Sequence, residues 1–284
     1  MFYPADQGQC VRAAEQFLRS TSAPTQGAPG RWIGAIVPHA GWICSGAIAG
    51  EAIATLAAGS EPDVVVVFGA VHTPLPLDRA ALASHDAWMV PGGTSIVPVD
   101  LAHRLTRDEA DRFAVDDRFH EREHAVEVEL PLIQRAWPNA LALPVEVPLM
   151  DDAVEMGIRT ARSVQSVGLS AVYLASSDLT HYGPAYQNTP AGVGLAALDW
   201  AKDNDRRLLD VVTNMTPERI VTEVRQRANA CGGGAIAAMM SACRQHGATS
   251  AKVLRHANSY EVLRDIVADN TPDNAVGYAA VVVG

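Results

Sequence analysis

Four short segments place histidine where an apolar run gives way to small or polar residues. They read Pro38-His39-Ala40-Gly41, Gly69-Ala70-Val71-His72, Glu123-His124-Ala125-Val126-Glu127 and Ser176-Ser177-Asp178-Leu179-Thr180-His181-Tyr182-Gly183. A fifth segment, Cys231-Gly232-Gly233-Gly234, sets a thiol just before a predicted helix. Imidazole, thiolate and carboxylate are the groups that hold metal ions and move protons.

Each segment has its own logic. Pro38 fixes the chain ahead of His39, and Ala40-Gly41 leave space beside the ring. His72 sits in a tight turn between Gly69 and Pro74. Asp178 and His181 are three apart. A helical turn beginning after Ser177 would put them on one face, where the carboxylate would fix the imidazole tautomer and raise its basicity. Ser177 or Asp178 would equally serve as the N-cap of that turn. His124 and Glu127 share the same spacing, within an apolar stretch of Val126, Val128, Leu130 and Leu132 where a charge needs a partner. Spacing alone also fits a solvated helix start. Glu127 and Asp178 are therefore both candidates for the acid that approaches a pocket. A thiol at a helix N-terminus has a lowered pKa, which would make Cys231 a ligand or nucleophile; packed as a small apolar residue it would be inert. Cys10, Cys44 and Cys243 suit packing roles. His85, His103, His120, His246 and His256 have no neighbours in sequence that suggest a task.

These residues need a frame. Short, fully apolar runs of the kind found in buried strands occur at Ile33–Val37, Val64–Phe68, Leu141–Val145, Ala171–Ala175, Val253–His256 and Tyr278–Val283. Helical periodicity appears at Gln7–Arg19, Gly46–Leu56, His124–Ala136, Asp151–Ser166, Leu195–Val212 and Ala235–His246. Ser20–Gly30 reads as a loop, and the Gly/Pro-containing stretch Ser84–Pro98 as a second loop able to lie over a cleft. The alternation predicts an α/β fold: one domain over 1–284, with a central, mostly parallel or mixed sheet flanked by helices. In such sheets the ligand sits beyond the carboxyl ends of the strands. His39, His72 and the Asp178–His181 pair all follow predicted strands, so parallel strands would deliver them to one edge.

The bulk properties narrow the options. The chain has 284 residues, 48% of them hydrophobic, a net charge of −10 and a pI near 5.3. That charge disfavours nucleic acid and anionic membrane surfaces as partners. No apolar run approaches the ~20 residues of a membrane span, and no signal peptide is visible, so the expected location is cytoplasmic. Four cysteines without a CxxC pair exclude a zinc ribbon or thioredoxin motif. GxGxxG, P-loop, GxSxG and HExxH patterns are missing too.

Taken in order, Pro38 to Gly46, Gly69 to His72, Glu123 to Pro131, Ser176 to Gly183 and Cys231 to Ile236 resemble the Memo family, the "AmmeMemoRadiSam system protein B" group. Phe2-Tyr3-Pro4 and Gly277-Tyr278-Ala279-Ala280 extend the resemblance nearly end to end. The family is similar in fold to class III extradiol dioxygenases of the LigB type, which hold Fe(II) with two histidines and a carboxylate. The resemblance implies that His39 and His72 are metal ligands, that His181, supported by Asp178, is the acid–base residue, and that Cys231 stands in the carboxylate position. His124 and Glu127 would line the same pocket. Thiolate in place of carboxylate shifts preference toward softer metals, so the implied cofactor is a metal ion, iron or copper ahead of zinc. Many family members carry a second histidine after the one matched by His72; here that residue is Thr73.

Three functions follow as expectations. The leading one is a redox metalloenzyme, a dioxygenase-like oxidoreductase with a small-molecule or peptide ligand. The second is a non-catalytic binding or accessory protein: the resemblance brings with it a radical-SAM partner system and a peptide-binding role. The third is a zinc hydrolase.

Overall fold

The structure, a computed structural model, describes residues 2–19 and 32–284; the expected loop Ser20–Gly30 lies outside them. The chain begins with α1 (Gln7–Arg19), β1 (Gly34–Val37), α2 (Trp42–Ala57) and β2 (Val64–Gly69). Next come β3 (Ala80–Leu82), the hairpin β4 (Ala87–Val90) and β5 (Gly93–Ile96), α3 (Val99–Asp108) and β6 (Phe113–Val115). Then follow α4 (Leu130–Ala136), β7 (Leu141–Glu146), α5 (Ala153–Ser166), β8 (Ala171–Ser176) and β9 (His181–Tyr182). The last third holds α6 (Leu195–Thr213), α7 (Pro217–Arg227), α8 (Gly233–Gln245), β10 (Ala251–Asn258), α9 (Ser259–Leu263) and β11 (Ala275–Val283).

Nine strands form one mixed sheet in the order β10-β11-β1-β8-β2-β7-β3-β6, with β9 added beside β11. The centre is parallel: β8 pairs β1 and β2, and β2 pairs β7. β11 runs antiparallel to β1 and to β10. The residue pattern explains the layering. In β2, Val64, Val66 and Phe68 enter the core beneath α3, α5, α7 and α8, whereas Val65 and Val67 face α1, α2 and α4. A strand buried on both faces must be apolar at every position. Each such Val or Phe contributes roughly 1.5–3 kcal/mol over leaving it exposed.

The six expected strands and five of the six expected helices are present, to within a few residues at each end. The exception is His124–Ala136, which is helical only from Leu130. Ahead of it the chain makes a turn and one 3-10 turn, Glu127–Glu129, because the amides of His124 and Ala125 are taken by Glu123. The stretch Ser84–Pro98 contains the hairpin. It packs on α4, where the Gln134 amide donates to Ser95 Oγ. No helix among the described residues is long and apolar enough to cross a membrane.

Candidate metal centre

Because β1, β2 and β8 are parallel neighbours, their carboxyl ends lie side by side. His39 follows β1 by two residues, His72 follows β2 by three and Asp178 follows β8 by two. The loop before α4 brings His124 to the same edge. The His39 ring centroid is 5.2 Å from that of His72 and 5.3 Å from that of His124, and His72 and His124 stack at 4.9 Å. One ring nitrogen from each of the three lies within 4.8 Å of the other two.

The hydrogen bonds around these rings decide which nitrogen faces the centre. Ser176 Oγ donates to the carbonyl of Ala125. It must then accept the Nδ1 proton of His39, 2.9 Å away, which leaves Nε2 of His39 with its lone pair. His72 Nδ1 donates to Glu123 Oε1 at 2.9 Å, and the His72 amide donates to Oε2 at 2.6 Å. The amides of His124 and Ala125 complete the set on Glu123. A buried carboxylate that fixes an imidazole through Nδ1 is the usual outer partner of a metal-binding histidine.

Burial alone would raise the Glu123 carboxyl. The hydrogen bonds and charge of His72 outweigh it and hold the pKa at about 2. Burial drives His39 well below the ordinary histidine value, with His72 and His124 adding to the effect. Burial followed by the charge of His72 lowers His124 as well. His72 is the exception: burial would lower it, but Glu123 raises it above the ordinary range. Three ring nitrogens within 4.8 Å of one another, backed by an ionised carboxylate, suit a cation.

Cys231 adjoins His39 but stands outside the group of three whose donor atoms lie within 4.8 Å of one another. Its Sγ lies 3.3 Å from His39 Nε2 and 3.6 Å from the carbonyl of Asp178. The expectation of a lowered thiol pKa is reversed: burial, then the nearby charge of Asp178, pushes it up. Desolvation outweighs the start of α8 two residues later. Gly232 allows the approach, since a Cβ there would come within 2.7 Å of Ser177 Cβ.

The expected contact between Asp178 and His181 is not made. Asp178 Oδ1 accepts the amides of His39 at 2.9 Å and Ala40 at 3.3 Å. Burial pushes this carboxyl up to about 7 against the pull of those amides. The residues after Ser177 form no helical turn: Leu179 bridges Ala230, and β9 pairs β11. His181 instead holds its Nδ1 against the carbonyl of Leu179 at 3.0 Å, and Tyr186 meets its ring edge-on at 5.0 Å. The charge of His181 couples to those of His39 and His72, and burial lowers its pKa.

Glu127 accepts a hydrogen bond from the Tyr3 hydroxyl. Phe2 stacks on His124 at 4.3 Å, anchored where the Trp42 amide donates to its carbonyl. The N-terminal segment is thus a wall of the site. Sequence reasoning passed over Glu123 and Ser176 as site residues. The one available signal was Glu123 itself, an acid directly before His124 and bound to His72 across 51 residues. A groove of about 810 Å³ opens at the opposite sheet edge, lined by Ile33, Ser170, His246 and Gly284 among others, far from the imidazole cluster.

The family model for Memo-like proteins matches residues 1–282. The chain belongs to the Memo family. It is 33% identical over 255 residues to a MEMO1 family protein of Methanosarcina barkeri, spanning 88% of this chain and 86% of that one. A MEMO1 family protein of Methanosarcina acetivorans is 35% identical over 258 residues, covering 88% and 85%. One from Methanothermobacter thermautotrophicus is 31% identical over 285 residues, covering 98% and 95%. In this Memo-family chain His124 completes the cluster of three imidazoles, while Thr73 leaves the position after His72 without one.

Proposed function

We propose that the chain is a redox metalloenzyme whose single metal ion is held by His39, His72 and His124, with the Cys231 sulfur as a further donor. The observation that carries this reading is the convergence of three ring nitrogens within 4.8 Å, with Nδ1 of His39 and His72 already committed to Ser176 and Glu123. Neutral nitrogen donors with one thiol favour iron or copper over harder ions. When bound, iron or copper would supply one-electron chemistry and the activation of O₂. The protein's own residues would do the rest. His181 would move protons through its Nε2, because its Nδ1 is bound to Leu179. Asp178, with a pKa near 7, would fix the turn that carries His39 and could hold a proton beside the site. Phe2 would shield His124 from water.

Anaerobic titration with Fe(II), Cu(I) and Zn(II) tests the reading. One equivalent should bind tightly, and His39→Ala and His72→Ala should each abolish it. The loaded wild type should consume O₂ with a suitable reductant or substrate, and His181→Ala should stop turnover without loss of metal. Metal bound equally by the wild type and both ligand variants would refute the assignment.

A further inference from the structure

Close to His181 lies a buried polar group that the proposed chemistry does not use. Asp205 of α6 is 1% exposed. Its Oδ1 accepts the amide of Thr180 at 2.8 Å, and its Oδ2 accepts Nε2–H of His256, on the edge strand β10, at 2.9 Å. Room for the carboxylate is made by Gly277 of β11: a Cβ there would stand 2.2 Å from Oδ2. Gly277 also grips the same segment through its backbone. Its carbonyl accepts the Leu179 amide at 2.8 Å, and its own amide donates to the Thr180 carbonyl at 3.0 Å. Asn204, next to Asp205 on α6, donates to Thr180 Oγ1 at 3.1 Å. Asn188 Nδ2 donates to the His181 carbonyl at 2.7 Å.

We propose that Asp205 and His256 are a positioning pair for His181. Together they fix the Thr180 peptide, and with it the Leu179 carbonyl that holds Nδ1 of the His181 ring.

The argument is geometric. The His181 ring keeps its Nδ1 proton only if the Leu179 carbonyl stays 3.0 Å away. That carbonyl belongs to a two-residue span whose amides and carbonyl are all tied down, at Leu179 by β11 and at Thr180 by Asp205 and β11. A buried carboxylate is a costly way to satisfy one amide, since an ion loses its hydration there. The cost is offset by a second partner, and His256 is that partner, 13% exposed at its side chain. The pair therefore runs from the outer strand to the backbone beside the proton-transfer residue. Positioning of this kind acts on an imidazole by choosing its tautomer, so that the nitrogen facing the reaction carries the lone pair.

The inference rests on the reading of His181 as the proton carrier, but its test does not depend on turnover or on metal. Long-range ¹H–¹⁵N correlation spectra report which nitrogen of a neutral histidine carries the proton, and His181→Gln identifies the signal. The wild type should show His181 wholly in the Nδ1–H form. His256→Ala and Asp205→Asn should each populate the Nε2–H form, while His256→Gln, whose amide can still donate to Oδ2, should restore the wild-type pattern. An unchanged Nδ1–H signal in folded His256→Ala and Asp205→Asn, accompanied only by a lower Tm, would overturn the proposal and leave the pair purely structural. If His181 proves dispensable for turnover while the tautomer shift is seen, the functional reading fails and the positioning pair stands.

Discussion

The Cys231 sulfur lies 3.3 Å from His39 Nε2, the nitrogen that Ser176 leaves with a lone pair. That separation would let both atoms reach one metal ion as neighbouring donors in the proposed site. Soft thiolates favour Cu(I), whereas imidazoles alone serve zinc and copper alike. Cys231→Ser should weaken Cu(I) about tenfold or more and leave Zn(II) nearly unchanged. Competition titrations against chromophoric chelators would show this. Equal losses for both metals would mean that the sulfur supports the fold of the site and does not choose the metal.

Glu123 is the most connected carboxylate of the site, accepting from the His72 ring and from three backbone amides. Glu123→Gln removes the charge and forces a donor against those N–H groups. Metal affinity should fall about 10–100-fold. Isothermal titration of the variant against wild type checks it, and a loss under twofold would detach Glu123 from metal binding.

Behind Glu123 sit His120 and Glu146, with side chains 1% exposed and 4.0 Å apart, nitrogen to oxygen. Burial holds His120 down at about 4 and lifts Glu146 well above the carboxylate range. The signs are opposite in consequence. The unfolded state binds a proton on His120 more readily between pH 6.5 and 4, so stability should fall across that window on acidification, by about 3 kcal/mol at most. Glu146 gains a proton on folding, so its contribution weakens as pH rises above 4.5. Glu146→Gln should therefore match the wild type near pH 4 and exceed it near pH 8. Urea denaturation at the two pH values decides this, and a constant difference would contradict it.

A Cβ at Gly232 would come within 3 Å of the Ser176 carbonyl and of the Ser177 side chain. Gly232→Ala must push Cys231 away from β8, at a cost of about 1–3 kcal/mol. A lower Tm together with the Cu(I) phenotype of Cys231→Ser is expected. A Tm loss without any change in Cu(I) affinity would show that the displaced sulfur is not a ligand.

The sequence carried the frame well, because buried parallel strands must be continuous apolar runs and β2, β7 and β8 are such runs. Histidines at the exits of β1 and β2 followed directly. The three-residue strands β3 and β6 were too short to show a period, and the hairpin β4–β5 was hidden by its glycines and prolines. Helix α7 had a legible start in Thr216-Pro217 but was overlooked. Partner choice was the harder part. Asp178 looked like the partner of His181 by spacing, yet its carboxylate faces two amides 139 and 138 residues away. His124 joined the cluster only because its loop folds onto β2 and β8, which spacing along the chain does not encode. His256, without context in sequence, found its partner in Asp205.

X-ray absorption at the edge of the bound metal, on wild type and His124→Ala, tests the central claim most directly. Three converging imidazoles predict a nitrogen shell near about 2.0 Å with histidine outer scattering, plus one sulfur near about 2.3 Å. The variant should lose one nitrogen. A shell of oxygens without histidine scattering, or one unchanged by His124→Ala, would contradict the account.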